Sequence, residues 1–401
     1  MVTLADIEEA SDRIRNHIIR TPLIYSPTFS SMCEAPVYLK LETLQRAGSF
    51  KIRGAMNKVL CHRAEIGPEG VVTASGGNHA QGVAVAAQTA GVSATIVMPE
   101  SAPLSKQEAT RHYGAEVIIH GKNLQESLEY AQHLEKRGAL FIHPYDDPEV
   151  IAGQGSISLE IYKDLPETDH IIVPVGGGGL ISGIAIAAKE LFEQVQIIGV
   201  QAAACPSMYR AYYSGRVEEI SSEISIADGI AVKTPGEITL SYVHRFVDNM
   251  LLVTEDQIAE AMRLLLERKK VIAEGAGATP LAALLTGTIP LKKENTIVLI
   301  ISGGNVDNTL LERVIRQGLL EKERIMRISV CIEDMPGSLA KLLGVIARCR
   351  GNILDIDHVR GGRNLPLFTT RVDLEIETRG TDHIEQINNA LEKEGYHSRV
   401  R

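Results

Sequence analysis

Residues 171–188 read IIVPVGGGGLISGIAIAA, an uncharged stretch with four consecutive glycines in its middle. Its length approaches that of a membrane-spanning helix. Because the glycines would break such a helix, we interpret the stretch as a buried strand, a glycine loop and a helix. Residues without side chains let the backbone wrap closely around an anion, at which the following helix aims its N-terminus. The stretch therefore predicts an anion-binding loop in an α/β fold.

The glycine spacing excludes two common nucleotide-binding motifs. A nicotinamide-dependent dehydrogenase has the pattern G-x-G-x-x-G. Counting from Gly176, the third glycine position is Ile181, and counting from Gly177 it is Ser182. A P-loop is also excluded, because no G-K-[ST] follows the glycines. A phosphate cradle of another kind remains, and a nicotinamide oxidoreductase is rejected.

Short apolar runs alternate with helical patterns on both sides of this stretch, which predicts parallel sheets covered by helices on both faces. The predicted strands are 70–75, 93–99, 115–121, 170–176, 195–202 and 296–303, and helices between them include 79–90, 123–137 and 256–270. Ligands of such folds bind beyond the carboxyl ends of the strands. The glycine clusters at 76–77, 176–179 and 303–304 all follow strands, so the ligand is expected there.

The last 75 or so residues have a different pattern. Strands are predicted at 325–334, 352–360 and 367–378, with helices at 338–349 and 382–394 and a short terminal strand. This is a βαββαβ, ferredoxin-like unit. Its glycine-rich connection reads GGRNLP (361–366), and the domain boundary is predicted near 322–326, after an amphipathic helix.

The composition is that of a globular protein. Of the 401 residues, 44% are hydrophobic and 23% charged, and the net charge of −9 without a dense basic block argues against nucleic acid as a partner. The five cysteines are odd in number and not closely spaced, which argues against disulfides and a zinc site. The N-terminus is acidic where a signal peptide is basic, so a cytoplasmic location without membrane association is expected.

Three further motifs contain candidate site residues. In GSFKIRGA (48–55), Lys51 is either a solvated lysine or a desolvated, nucleophilic amine, and spacing alone does not decide. In TASGGNHAQG (73–82), Ser75 and Asn78 either cap a strand-to-helix turn or help to bind an anion, while His79 is expected to be a packed or capping residue and not a base. In ISGGN (301–305), Ser302 is either a turn hydroxyl or a neutral partner for a pyridine ring.

Together, SFKIRGA, SGGNHAQG, GGGGL and SGGN resemble the serine/threonine dehydratases of the tryptophan-synthase-β class of pyridoxal-phosphate enzymes. AGQGS (152–156), ADGIAV (227–232) and EGAGA (274–278) are also similar to that family. The resemblance covers residues 1–322 and implies two doubly wound subdomains, the smaller (about 48–150) inserted in the larger. No resident metal ion is expected.

The resemblance also implies roles for these residues. Lys51 would bind the cofactor covalently and then act as base on the substrate Cα proton, with Phe50 packed against the ring. Asn78 would donate to the phenolic oxygen of the ring, and Ser302 would face its pyridine nitrogen. Gly176, Gly177, Gly178 and Gly179 would hold the phosphate, and Ser75, Gly76 and Asn78 would bind the substrate.

The implied reaction is elimination of water from L-threonine, giving 2-oxobutanoate and ammonia, with L-serine giving pyruvate as a secondary activity. Alternatives are an L-serine dehydratase, a serine racemase-like enzyme, or a non-catalytic amino-acid sensor. Racemases of this class have a serine where this chain has Gly76, and carboxylates for a divalent cation where it has Gln201, Cys205 and Ser207. Racemisation and metal binding are therefore expected to be weak.

The C-terminal residues 326–401 resemble an ACT regulatory domain, with DMPGSLAKLL (334–343) as its strand-to-helix turn. This resemblance implies an allosteric, amino-acid-sensing role, with isoleucine or valine as effector and a function in isoleucine biosynthesis, although a purely structural dimerisation module is the alternative. The effector would bind near Pro336 and Gly337, and near Asn352 and Asp355 of the second strand. The resemblance to the dehydratase family also implies a homodimer or a homotetramer.

Overall fold

Three β-sheets organise the chain in the computed structural model, which describes residues 1–361 and 365–400. The strands, in chain order, are β1 (Leu23–Tyr25), β2 (Val37–Leu41), β3 (Val71–Ala74), β4 (Ala94–Met98), β5 (Glu116–Ile119), β6 (Leu140–Phe141), β7 (His170–Pro174), β8 (Gln196–Ala202), β9 (Asn249–Val253), β10 (Ile297–Ile301), β11 (Ile325–Glu333), β12 (Asn352–Val359), β13 (Thr369–Glu377) and β14 (Ser398–Val400).

The helices lie between these strands, as the alternating pattern predicts. They are α1 (Leu4–Ile14), α2 (Pro27–Cys33), α3 (Lys51–Cys61), α4 (Asn78–Ala90), α5 (Leu104–His112), α6 (Leu124–Glu135), α7 (Pro148–Asp164), α8 (Gly179–Leu191), α9 (Ser207–Ser214), α10 (Glu237–Phe246), α11 (Glu255–Leu264), α12 (Gly275–Leu285), α13 (Asn308–Glu321), α14 (Ser338–Arg348) and α15 (Thr381–Lys393). The predicted helix at 256–270 is α11 followed by a π-helical turn, Leu265–Lys269. Within the described residues, no helix has both the length and the apolar character needed to cross a membrane.

Two of the sheets belong to one compact unit, residues 1–307. The larger has the strand order β1-β2-β10-β7-β8-β9 and is parallel except for β1, and the smaller is parallel with the order β5-β4-β3-β6. The strands of the smaller sheet fall, in sequence, between β2 and β7 of the larger one. The prediction of an α/β fold with parallel sheets is confirmed.

The sequence patterns do not predict four strands: β1 and β6, which have three and two residues, and β2 and β9, which have five each. Strand β2 is instructive because it contains Lys40, whose side chain is fully buried. Lys40 Nζ donates to Glu160 Oε2 at 2.5 Å and to the Thr21 carbonyl at 2.6 Å. A lysine satisfied in this way interrupts the apolar run by which a buried strand is identified in a sequence.

Helix α7 packs at backbone distance against both helices that begin at the predicted site. A Cβ atom on Gly153 would lie 2.6 Å from the carbonyl oxygen of Arg53 in α3. On the other side, a Cβ atom on Gly183 of α8 would lie 2.3 Å from the carbonyl oxygen of Ile151. Glycine is therefore required at both crossings. Through α7, the helix that starts with Lys51 is fixed relative to the helix that follows the glycine loop.

Arg53 anchors α3 through buried ion pairs. Its guanidinium donates to both carboxylate oxygens of Glu42, at 2.8 Å each, and to Glu160 Oε1 at 2.7 Å. Arg53 and Glu42 are completely buried, and Glu160 is nearly so. The Arg53 charge lowers the pKa of Glu42 against the opposing effect of its burial. This network holds the first turn of α3, and with it Lys51, against α7 and the turn that follows β2.

Residues 308–401 form the second compact unit. Strands β12-β13-β11-β14 make an antiparallel sheet in this order, and α14 and α15 contribute apolar side chains to the same core, as expected of a ferredoxin-like unit. The unit includes α13, whose Arg316 pairs with Glu375 of β13 at 2.6 Å, whereas the sequence boundary at 322–326 placed this helix in the larger part. Of the predicted GGRNLP connection, 362–364 lie outside the described residues.

Candidate active site

Backbone hydrogen bonds join the lysine motif to the SGGN motif, about 250 residues further along the chain. The Phe50 N–H donates to the Ser302 carbonyl at 3.0 Å, and the Gly304 N–H donates to the Gly48 carbonyl at 2.9 Å. Helix α3 begins at the next residue, Lys51, and β10 ends at the residue before Ser302. The two motifs therefore form one wall of a site at the carboxyl edge of the larger sheet.

A cavity at this edge brings together most of the predicted site residues. Its lining includes the predicted Phe50, Lys51, Asn78, Gly176, Gly177, Gly178, Gly179 and Ser302. It also includes residues to which no role was given, namely Tyr145, Pro174, Leu180, Gly229, Ile230, Val232, Glu274 and Ala276. The arrangement joins an amine, an amide, a carboxyl, a hydroxyl and a glycine loop in one space.

Lys51 is held in partly desolvated surroundings. Its Nζ donates to the Pro144 carbonyl at 2.8 Å and lies 5.2 Å from the centre of the Phe50 ring. Burial lowers the pKa of Lys51 from 10.5 to about 8, although the Glu274 carboxylate acts in the opposite direction. A considerable fraction of the amine is therefore neutral near physiological pH, as a nucleophile or a base requires.

The glycine loop between β7 and α8 admits no side chain at its centre. A Cβ atom on Gly177 would lie 2.4 Å from the Tyr145 ring, and one on Gly178 would lie 2.6 Å from Met208 Cε. Gly178 also has φ +98°, a conformation that favours glycine. The N–H groups in the first turn of α8 have no partner within the helix, so the loop can bind an anion.

Asn78 is oriented by a chain of side-chain hydrogen bonds. Asn305 Nδ2 donates to Asn78 Oδ1 at 2.9 Å, and Asn78 Nδ2 donates to Glu274 Oε1 and Oε2 at 2.7 and 2.9 Å. Burial raises the pKa of Glu274 from 4.5 to about 7, against the lowering effect of the Asn78 bond. The site thus contains a carboxyl group that can bind or release a proton near neutral pH.

His79 and Ser302 are both buried, with different consequences. His79 Nε2 donates to the Ile142 carbonyl at 3.0 Å, and burial lowers the pKa of His79 to about 3. His79 is therefore a neutral, packed residue, as the sequence analysis expected. Ser302 is 2% exposed and presents a neutral hydroxyl, not a carboxylate, at the cavity wall.

Ser75 and Gly76 lie in the loop before α4 but are not among the residues that line the cavity. Ser75 Oγ accepts a hydrogen bond from the Gly77 N–H at 3.2 Å, which is a local turn contact. A Cβ atom on Gly76 would meet only Ala102 Cβ at 3.5 Å and Pro99 Cδ at 3.9 Å. Their substrate-binding role stays a prediction. Among the described residues, no group of three or more His, Cys, Asp or Glu side chains could hold a metal ion.

Comparison with known proteins identifies the family. The family model described as pyridoxal-phosphate-dependent enzyme matches residues 14–303. The chain belongs to this family. An L-threonine ammonia-lyase of Thermotoga maritima is 46% identical to this pyridoxal-phosphate-dependent enzyme over 401 residues, which are 100% of each chain.

Two solved structures are also similar to this pyridoxal-phosphate-dependent enzyme. Threonine deaminase isoform 2 from Solanum lycopersicum superimposes with a TM-score of 0.75 at 37% identity, covering 79% of this chain and 87% of the other. Maize serine racemase also has a TM-score of 0.75, at 35% identity, covering 80% of this chain and 99% of the other. Both likenesses confirm the predicted fold class.

The cavity of this pyridoxal-phosphate-dependent enzyme fits the cofactor. The Lys51 amine suits covalent attachment of an aldehyde, because its pKa is lowered. The glycine loop suits the phosphate, because side chains are sterically excluded at Gly177 and Gly178. An amide donor on Asn78 and a neutral hydroxyl on Ser302 line the same space. These residues would hold the aldehyde carbon, the phosphate and the two polar atoms of the ring.

Sequence reasoning missed Glu274 and Tyr145. The EGAGA motif was noted only as a family likeness, yet a lone acid before a run of small residues was a usable signal of a buried carboxyl. Tyr145 gave no such signal. Its ring closes over Gly177, and its hydroxyl donates to the Thr234 carbonyl at 3.0 Å, contacts that depend on the tertiary structure.

Proposed function

We propose that the chain is an L-threonine ammonia-lyase, which converts L-threonine into 2-oxobutanoate and ammonia, with conversion of L-serine into pyruvate as a secondary activity. The observation that carries this proposal is the Lys51 amine, with its pKa lowered to about 8, in one cavity with Asn78, the glycine loop and Ser302. The full-length similarity to the Thermotoga maritima L-threonine ammonia-lyase supports the choice of substrate.

Proton transfer is the task of Lys51. When bound, pyridoxal phosphate supplies an electron sink that stabilises negative charge at the substrate Cα. Lys51 Nζ, neutral in part near pH 7 to 8, removes the Cα proton. Loss of the β-hydroxyl as water leaves an enamine. The enamine tautomerises, and hydrolysis then releases 2-oxobutanoate and ammonia, so that the water lost in elimination is regained.

The other polar residues determine how the site is organised. Asn78 is held with its amide nitrogen toward Glu274 and the cavity, because Asn305 occupies its oxygen. Ser302 offers a hydroxyl, which does not stabilise positive charge on a neighbouring ring nitrogen as a carboxylate does. A ring without that positive charge would withdraw electrons from the substrate Cα less strongly, which favours elimination over transamination.

The decisive experiment compares the chain with Lys51→Ala. The parent, purified with pyridoxal phosphate, is expected to release 2-oxobutanoate from L-threonine and to show a near-visible absorbance band that borohydride removes. Lys51→Ala is expected to lack both. Lys163→Ala, which removes an exposed lysine from α7, serves as the control. Release of 2-oxobutanoate by Lys51→Ala at the parental rate would refute the proposal.

Racemisation of serine is a second candidate activity, because the fold is similar to that of maize serine racemase. Gly76 argues against it, since glycine has no hydroxyl with which to return a proton on the opposite face. A non-catalytic sensor is also disfavoured, because a protein without catalysis need not keep Lys51, Asn78 and Ser302 around one cavity. The assay for 2-oxobutanoate separates these alternatives.

We propose further that residues 326–401 are an ACT regulatory domain and residues 1–322 the catalytic domain, with about 48–150 as its smaller subdomain. The turn before α14 supports this, since Gly337, the residue immediately before the helix, has φ +92°. Asn352 and Asp355 lie on the edge strand β12, where Asn352 Nδ2 donates to Glu377 Oε2 at 3.1 Å. An isoleucine or valine effector is proposed to bind there.

Regulation can be tested on the full chain. We expect isoleucine or valine to change the rate of 2-oxobutanoate release, and Asp355→Ala to reduce that response while the basal rate is retained. A response that is the same in both proteins would place the effector site elsewhere.

The proposal also includes a role in isoleucine biosynthesis, a homodimeric or homotetrameric state and a cytoplasmic location. Light scattering tests the oligomeric state.

A further inference from the structure

The carbonyl group of Gly177 is held on one side by two donors outside the cavity lining. Thr239 Oγ1 donates to it at 2.6 Å, a shorter distance than the 3.2 Å to its other acceptor, the Gly236 carbonyl, and the Gly236 N–H donates to the Gly177 carbonyl at 3.3 Å. Thr239 is completely buried in the first turn of α10. The Thr239 backbone N–H donates to Asp146 Oδ1 at 3.0 Å, so the backbone that carries the hydroxyl is itself held in place. The shorter of the two hydrogen bonds to the Gly177 carbonyl therefore comes from Thr239.

The planarity of the peptide bond converts this contact into an orientation. In a trans peptide, the carbonyl of one residue and the N–H of the next point in opposite directions. With the Gly177 carbonyl fixed toward Thr239, the Gly178 N–H points away from Thr239. Gly177 and Gly178 both line the cavity, and the free N–H groups of α8 follow directly.

The Thr239 side chain packs against the glycine loop, so its hydroxyl is best tested by a substitution that keeps the shape of the side chain. A Cβ atom on Gly178 would lie 2.7 Å from Thr239 Cβ, so the threonine side chain is in close contact with the loop. Valine has nearly the same shape as threonine but cannot donate. In Thr239→Val the Gly177 carbonyl would keep only the longer bond from the Gly236 N–H, so the orientation of the peptide would be less firmly fixed.

We propose that Thr239 is a positioning residue for the phosphate of the cofactor: by holding the Gly177 carbonyl, it directs the Gly178 amide toward the anion. This inference rests on the function proposed above, because it takes the glycine loop as the site that binds the phosphate. Thr239 is not among the residues that line the cavity, so it would act through the loop.

The test compares two ligands that differ only in the phosphate. Dissociation constants of pyridoxal phosphate and of pyridoxal are measured for the cofactor-free parent, Thr239→Val, Thr239→Ser and Thr168→Val. Loss of one hydrogen bond predicts about tenfold weaker binding of pyridoxal phosphate by Thr239→Val. Binding of pyridoxal is expected to be unchanged. The ³¹P chemical shift of the bound phosphate is expected to move in the same variant.

The controls make the result specific. Thr239→Ser keeps the hydroxyl and is expected to retain the parental preference for pyridoxal phosphate. Thr168→Val removes another buried hydroxyl, which donates to the Leu165 carbonyl at 2.8 Å, and is expected to have no effect. If Thr239→Val does not fold, Thr239→Ala removes the same hydroxyl and is measured instead.

Two negative results are distinguishable. A parent that prefers pyridoxal phosphate, with a Thr239→Val variant of the same preference and the same ³¹P shift, overturns the role of Thr239 alone. A parent that binds the two ligands equally well shows that the glycine loop holds no phosphate. That result contradicts the proposed cofactor site, and the role of Thr239 with it.

Discussion

Asn78 Nδ2 donates to both carboxylate oxygens of Glu274, at 2.7 and 2.9 Å, although 196 residues separate the two in the chain. The bond connects the first turn of α4 with the residue that precedes α12. Glu274 is 5% exposed, and its burial outweighs the hydrogen bond, so its pKa is raised and not lowered. The site therefore contains two groups, Lys51 and Glu274, whose pKa values burial has shifted toward neutrality.

Glu274→Gln is expected to remove a pH dependence of stability from the cofactor-free protein. The folded-state pKa of about 7 lies above the ordinary 4.5, so the stabilising contribution is complete below pH 4.5 and is lost as the pH rises through 7. The loss amounts to about 3 kcal/mol. Denaturant unfolding of both proteins between pH 4.5 and 8 measures it. Parallel stability curves for parent and variant would rule out a raised pKa.

The pKa of Lys51 predicts how fast the cofactor-free protein captures pyridoxal phosphate. Only the neutral amine attacks an aldehyde, so the rate of covalent attachment is expected to rise with pH and to level off above about 8. Because the Glu274 carboxylate raises the pKa of Lys51, Glu274→Gln is expected to move the midpoint to lower pH. Stopped-flow absorbance measures both. A midpoint near 10.5, the ordinary lysine value, would contradict the desolvation argument.

Arg53 is expected to be essential for stability. Arg53→Ala leaves the carboxylates of Glu42 and Glu160 buried without their guanidinium partner, which predicts a loss of about 3–5 kcal/mol in the free energy of unfolding. Arg15→Ala breaks a solvent-exposed pair with Asp12 and is the matched control, with little change expected. Equal unfolding free energies for the two variants would show that the buried network does not stabilise the fold.

Gly76→Ser is expected to raise D-serine formation from a negligible level. The structure leaves room for the new side chain, because the nearest atom to a Cβ there is Ala102 Cβ at 3.5 Å. If Gly76 lies beside the substrate, as predicted from the family motif, the added hydroxyl would return a proton to the face opposite Lys51. Chiral chromatography of L-serine reactions measures the product. If the unmodified protein already racemised serine about as fast as it eliminated water, the reading of Gly76 would be wrong.

Much of the molecule was predictable from local patterns. The strand, glycine loop and helix at 171–188 occur as β7, the loop and α8, and the βαββαβ order of the C-terminal residues is also observed. Lys51 was identified as a candidate from its motif, but its neighbours were needed to decide its state. Strand β2 was missed, because buried Lys40 interrupts its apolar run.

The sequence by itself determined the alternation of strands and helices, the family motifs and the absence of a side chain at each position of the glycine loop, because these depend on residues close together in the chain. Only the tertiary structure decided the pKa values of Lys51 and Glu274, the closure of Tyr145 over Gly177 and the bond from Thr239. Desolvation and hydrogen-bond direction depend on packing between distant segments. No local pattern records which groups that packing brings into contact.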